Sequence, residues 1–333
     1  MERGLYICAG ITALSGAVAY GLVPITGMTN APTTTIFRGW LIFMGFVAAC
    51  HVLWITVRMA SLGLDRPLAA LLAKVDWQQI KSICLWSVLL ALNLMFFCTI
   101  KAQLGQIVSF SADPLLADID KMLLGADAWR LTEWFNHEKL SIIYHRGWFF
   151  WLAFVIFYVC KQPASFEKDR LLLRYVMMWS FFGPIVHLML PAAGPVFYSE
   201  LGYGNRFVEL EQSARSLEVK AYLWDSYVNK VFYPASGISA MPSLHLATMF
   251  WSLIAIRNTR WLAFGWLFTA YIFLGSIAIG WHYAIDGIAG GLGAVLCYWI
   301  AAVALRESKA NGIAPIPEFS GAVATVNSPA DRT

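Results

Sequence analysis

Ser236-Gly-Ile-Ser-Ala-Met-Pro-Ser-Leu-His245 opens into an apolar run that ends near Ile256, and it reads as a polar pocket mounted on the start of a membrane helix. Pro242 suits a first helical turn, where its missing N–H costs nothing, and the N–H groups after it lack intrahelical partners. Free amides at a helix start bind anions. His245 falls in that first turn and can carry a proton near neutral pH, so an oxyanion held by the backbone would lie beside a proton donor. Beyond Ile256 come a short Arg257-Asn-Thr-Arg260 turn, an apolar run over 261–279, and Gly280-Trp-His-Tyr-Ala-Ile-Asp286. Going down one helix and back up the next returns His282 to the face that carries His245.

Composition agrees with a membrane setting. The chain has 333 residues, of which 59% are hydrophobic and only 13% charged, with 15 Trp. Soluble domains have about 25% charged and 45–50% apolar residues. The net charge of +4 is dispersed, with no basic run of the kind that binds nucleic acid, and reads as topology. Cys8, Cys50, Cys84, Cys98, Cys160 and Cys297 all fall in apolar stretches without Cys-x-x-Cys spacing, which points to helix packing rather than disulfides or metal.

In chain order, the run over 5–23 is long enough to span a bilayer and longer than a signal-peptide core, so it reads as an uncleaved first helix. Further spans are expected at 39–57, 82–100, 147–160 and 171–190, and three more begin at Pro242, Trp261 and Ala284, giving eight. The segment 113–146 is amphipathic and is expected to lie along the interface. The run 207–230 alternates charged and apolar residues and is either a lid beside the site or an inert surface helix. The fold expected is all-α, a polytopic membrane bundle with an addition of two helices over 1–81, a six-helix catalytic unit over 82–304 and a disordered tail over 305–333.

An even number of spans puts both termini on one side. Arg58, Arg66, Lys74, Lys81, Lys161, Lys168, Arg170, Arg174, Arg257 and Arg260 all fall on that side in short connections, so both termini are expected in the cytoplasm. His245, His282 and Asp286 then face the exterior, periplasm or lumen, in a plasma membrane or endomembrane.

Asp286 follows His282 by one helical turn, close enough to fix the imidazole tautomer. A histidine so held can act as a nucleophile, and the histidine at the helix start can protonate a leaving oxygen and later deprotonate an incoming hydroxyl. Phosphoryl transfer needs little more. The glycines Gly287, Gly290, Gly291 and Gly293 lie within a membrane helix, where close helix packing is the simpler reading than a nucleotide loop.

At these residues the chain resembles the type-2 phosphatidic acid phosphatase superfamily, whose second motif reads Pro-Ser-Gly-His and whose third ends His-x-x-x-Asp. The corresponding residues are Pro242-Ser243-Leu244-His245 and His282-Tyr-Ala-Ile-Asp286. Leu244 in place of Gly, and Pro191-Ala-Ala-Gly-Pro-Val-Phe-Tyr198, resemble the branch that includes inositol phosphorylceramide synthase, an inositolphosphotransferase. The resemblance, which covers about 113–304, implies His282 as nucleophile, Asp286 as its orienting partner and His245 as general acid and base. Ser239, Ser243 and Leu244 are the expected substrate-binding positions, and a histidine nucleophile assisted by a helix terminus, with no carboxylate cluster beside it, is expected to need no metal and no cofactor.

Two departures bear on the substrate. The Ser-Arg pair that the family places seven and six residues before the nucleophile is Gly275-Ser276 here, so the Arg is missing. Lys139 and Arg146 have the spacing of the family's first motif, but Gly147 replaces its Pro and two spans separate the pair from Pro242. Arg206 and Arg215 lie in the right loop and are the candidate phosphate clamps. A phosphomonoester approaches two negative charges and a diester has one, so a lost Arg costs less for the diester. The expected activity is lipid headgroup or phosphoryl transfer from a membrane lipid phosphate or phospholipid to an alcohol. The alternatives are a lipid-phosphate phosphatase, in which water is the acceptor, and a transporter or binder that recognises lipid phosphate without turnover.

Overall fold

The computed structural model describes residues 3–30 and 34–306. Eight apolar helices organise it: α1 Arg3–Thr26, α2 Thr35–Ser61, α3 Trp77–Ile107, α4 Leu140–Cys160, α5 Phe166–Met189, α6 Leu244–Ala255, α7 Leu262–Ala278 and α8 Ala284–Arg306. Six of them are long and apolar enough to cross a membrane, and α6 and α7 are shorter apolar helices. These match the eight expected runs. Several helices outlast their runs, because capping groups and apolar flanks carry them past the most hydrophobic core, whereas α6 and α7 stay within theirs. Asp76 caps α3 by accepting from the amides of Gln78 and Gln79 at 2.9 and 3.2 Å, so α3 begins five residues before the expected span and ends seven after it. The tail lies outside the described residues from 307 onward; 305 and 306 still belong to α8.

The two N-terminal helices are built into the bundle. α1 lies along α3, and the two are clasped by Gln103, whose side chain donates to Ala19 O at 3.0 Å and accepts from Thr26 Oγ1 at 2.9 Å. Such polar ties between helices matter where apolar packing alone gives little preference over lipid. α2 touches α3 and α4 and buries Trp40 and Met44, while Ile42 and Leu53 on its far side stay exposed, as a lipid-facing surface requires. The helices around the two histidine motifs are tied the same way. Trp148 and Trp151 of α4 donate from Nε1 to Thr248 and Ser252 of α6 at 3.0 and 2.9 Å. Trp251 reaches from α6 to Leu171 O of α5 at 2.8 Å.

The glycines of α8 are packing positions. A Cβ at Gly290 would stand 2.2 Å from Ser243 O, and one at Gly293 would meet the Phe182 ring at 1.9 Å. Close approach of α8 to the start of α6 is what brings the two histidine motifs together.

The segment 113–146 forms a helix at Asp113–Leu124, then short turns that lead into α4. Both of its faces are mixed in polarity. Asp113, Leu116, Ala117 and Asp120 are buried, whereas Leu115, Met122 and Leu123 are exposed. The acids face inward because buried backbone amides await them there, and the leucines are free to meet an apolar surrounding.

Candidate active site

α6 starts at Leu244, two residues later than expected. Pro242 stays outside the helix because Ser243, in extended conformation, is the cap. Its Oγ accepts from Leu246 N at 3.5 Å, and its own amide donates to Asp286 O at 3.0 Å, which joins the start of α6 to the start of α8. His245 therefore sits in the first turn of α6, beside amides beyond the reach of any intrahelical carbonyl.

The His245 and His282 rings have their centroids 6.1 Å apart, and both line one cavity of about 530 Å³. Tyr144 stacks on His245 at 4.7 Å and Trp148 flanks it at 4.2 Å. His282 Nδ1 lies 2.8 Å from Ala240 O, and a carbonyl can only accept, so Nδ1 carries the proton and Nε2 is the basic nitrogen. Asp286 Oδ2 is 3.5 Å from Nδ1, a longer contact than that to Ala240 O, and it accepts the Tyr283 amide at 2.9 Å. The shorter contact that sets the tautomer thus belongs to Ala240, and Asp286 contributes its charge from behind.

Two acids that the sequence reading passed over hold this arrangement. Asp113 accepts the amides of Ala193 and Gly194 at 2.9 and 2.7 Å and the Tyr283 hydroxyl at 3.0 Å. Asp120 accepts the amides of Ala284 and Ile285 at 2.6 and 3.0 Å, capping α8 from a distant helix. Burial pushes both carboxyls above their ordinary range, and the hydrogen bonds each accepts pull the other way. The loop from Pro191 to Tyr198 is the other half of this frame. Gly194, at φ 101°, lets it press against the backbone of His282's neighbour, since a Cβ there would be 2.6 Å from Trp281 O. Ala240 N donates to Ala192 O at 2.8 Å, so the carbonyl that orients His282 is itself fixed by this loop.

Of the expected binding residues, Ser239 and Leu244 line the cavity. Ser239 Oγ lies 3.0 Å from His187 Nδ1. Ser243 is fully buried and spends its hydroxyl on the cap. Arg206 and Arg215 do not line the cavity. Arg206 is engaged by Asp127, Asp118 and Ala117 O at 2.9, 2.6 and 2.9 Å, which braces the Asp113–Leu124 helix. Arg215 pairs with Glu218 at 2.8 Å on the half-exposed helix Ala214–Asn229. That helix is part of the site's wall, for Val219 and Leu223 line the cavity.

Most of the remaining wall is apolar, with Trp40 and Phe43 of α2, Phe97 and Cys98 of α3, and Phe149 and Leu152 of α4. A few polar groups converge at one side, the usual make-up of a small-molecule site. Tyr144 and His145 enter it from a widened π turn at Ile143–Gly147 inside α4, and Trp179 from another at Met178–Phe182 inside α5. Lys101, near the end of α3, also lines it. Among the described residues, no three His, Cys, Asp or Glu side chains gather as a metal site would require.

A family model described as the PAP2 superfamily matches residues 116–300, more than half of the chain, and spans both histidine motifs. No curated protein and no solved structure matches the chain.

Proposed function

The chain belongs to the PAP2 superfamily, and from that premise we propose that it is an integral membrane lipid phosphotransferase that works through a phosphohistidine. Membership supports phosphatase or phosphotransferase activity on lipid phosphates. The observation that carries the finer reading is the pair His282 and His245 across one cavity, with Nδ1 of His282 engaged by Ala240 and its Nε2 left as the nucleophile.

The centroid separation of 6.1 Å is about twice the near-attack distance of ~3–3.5 Å, so a phosphoryl group between the rings can be within reach of both. In the first step Nε2 of His282 attacks phosphorus, the bond from phosphorus to the leaving oxygen breaks, and His245 gives that oxygen a proton. In the second, an acceptor hydroxyl gives its proton to His245 as its oxygen attacks phosphorus, and the phosphorus–nitrogen bond breaks to return His282. Asp286 stabilises the positive charge that His282 acquires, and the Ala240 carbonyl keeps the ring in register.

The apolar walls favour a lipid donor and an alcohol acceptor that enters from the membrane, as in the inositolphosphotransferase-like branch. The basic short connections support a site on the extracytoplasmic or lumenal side with cytoplasmic termini. Acceptor competition tests the reading: purified protein with a phospholipid donor should yield a new lipid phosphodiester when a lipid alcohol is present. Product confined to hydrolysis, with water as the sole acceptor, would make it a phosphatase instead.

A further inference from the structure

One charge in the cavity has no part in the chemistry above. Lys101 lines the cavity with His245 and His282, and its backbone is held against the loop that carries Ser239. Gly237, at φ 109°, makes that contact possible, because a Cβ there would stand 2.8 Å from Ala102 N and 2.9 Å from the carbonyl carbon of Lys101. Lys101 is within electrostatic reach of His145, His187 and His245. Among the described residues the cavity lining contains no Asp, Glu or Arg, and Lys101 makes no ion pair. An ammonium set in an apolar wall without a carboxylate partner is stabilised by an anion that enters beside it.

The other candidate cations do not line this cavity, although Arg215 is within electrostatic reach of His145 from outside it. Arg206 and Arg215 are engaged by acids outside the cavity, and Lys139 and Arg146 do not line it. Ser276, which stands where the Arg of the resembled motif would be, is buried and turns its hydroxyl back to Phe273 O at 2.7 Å.

We propose that Lys101 is the phosphate-binding cation of this site, and that one cation in an apolar cavity selects a singly charged lipid phosphodiester over a phosphomonoester. The proposal rests on the phosphotransferase reading. A monoester carries about −1.5 to −2 at neutral pH, and the charge left unmatched by one lysine is expensive to bury. Lys101 and the α2 wall of Ile36, Gly39, Trp40 and Phe43 both precede residue 116, so the charge selection and part of the chain-binding wall come from outside the matched family region.

The test uses the full chain in lipid nanodiscs, with a glycerophospholipid diester and a lipid phosphomonoester as donors, for wild type, K101M and K101R. Wild type should prefer the diester in kcat/KM. K101M should raise the diester KM by roughly 10- to 100-fold, the loss of one charge-assisted hydrogen bond, with a smaller change in kcat, and K101R should recover most of it. Wild-type turnover with an unchanged KM in K101M overturns the Lys101 assignment alone. Preference of the wild type for the monoester overturns the charge argument, whether or not the variants fold. Absence of turnover on every lipid phosphate removes the phosphotransferase reading itself.

Discussion

Asp120 accepts the amide hydrogen of Ala284 at 2.6 Å, so the helix that carries Asp286 is capped by a residue 164 positions earlier in the chain. The first amides of a helix have no partner within it, and a buried one left unmatched costs free energy. Asp120→Ala should therefore lower stability by about 1–3 kcal/mol and reduce turnover by loosening His282 relative to Ala240. Asp118→Ala, on the same helix but largely exposed, should do far less. Thermal unfolding in detergent and kcat report the two effects, and equal losses in both variants would mean that the cap has no special part in the site.

Gly290 gives a second handle on the same junction. A methyl group there would stand 2.2 Å from Ser243 O and 3.2 Å from Ala247 N, so Gly290→Ala must push α8 away from the start of α6. Overpacking of this kind costs about 1–3 kcal/mol. Gly10→Ala in α1 meets nothing within 4 Å and should be neutral or slightly stabilising. Melting temperature and turnover should both fall for Gly290→Ala; retention of both would show that the close approach is not needed.

How much of this could be read from the sequence depends on the range of each interaction. His245 and His282 were legible because each sits in a local motif, and the helix between them fixes their common face. The eight apolar helices were legible from continuous hydrophobicity. Asp113 and Asp120 were not, because their partners are backbone amides 81 and 164 residues away and an amide leaves no mark in the residue pattern. Lys101 was missed for a smaller reason. The span was read as ending at residue 100, where hydrophobicity stops, whereas α3 continues to Ile107 and draws Lys101 into the cavity wall. Arg206 and Arg215 were plausible by loop position alone, but acids nearby claim them first.

The placement of basic residues makes a topological prediction. A reporter fused after Thr333 should be cytoplasmic, and one inserted in the loop between Tyr198 and Lys230 should be on the opposite side. Membrane-impermeant labelling of single cysteines at the two positions in a cysteine-free background reads this directly. Labelling with the opposite sidedness would place the site in the cytoplasm and change which leaflet supplies the donor.

Activity should persist in EDTA. Hard divalent cations need several oxygen ligands, and the cavity lining among the described residues contains no carboxylate. Loss of turnover on chelation, restored by added Mg²⁺, would overturn the mechanism in which His282 and His245 act without a metal ion.

The two histidines should fail in different ways if their roles are as proposed. His282→Ala removes the attacking nitrogen, so turnover and any covalent adduct should both disappear. His245→Ala removes only proton transfer, a contribution typically of ~10²–10⁴ in rate, so a donor with a good leaving group should recover part of the loss. The adduct should still form in that variant. Asp286→Asn keeps the shape behind His282 but removes the charge 3.5 Å from its Nδ1, and should slow the reaction without abolishing lipid binding, because the Ala240 carbonyl still holds the ring. Radiolabelled donor and rapid quench should trap phosphate that is labile in acid and stable in base. Phosphate found on His245, or wild-type turnover by His282→Ala, would reverse the assignment of nucleophile and acid within the same cavity.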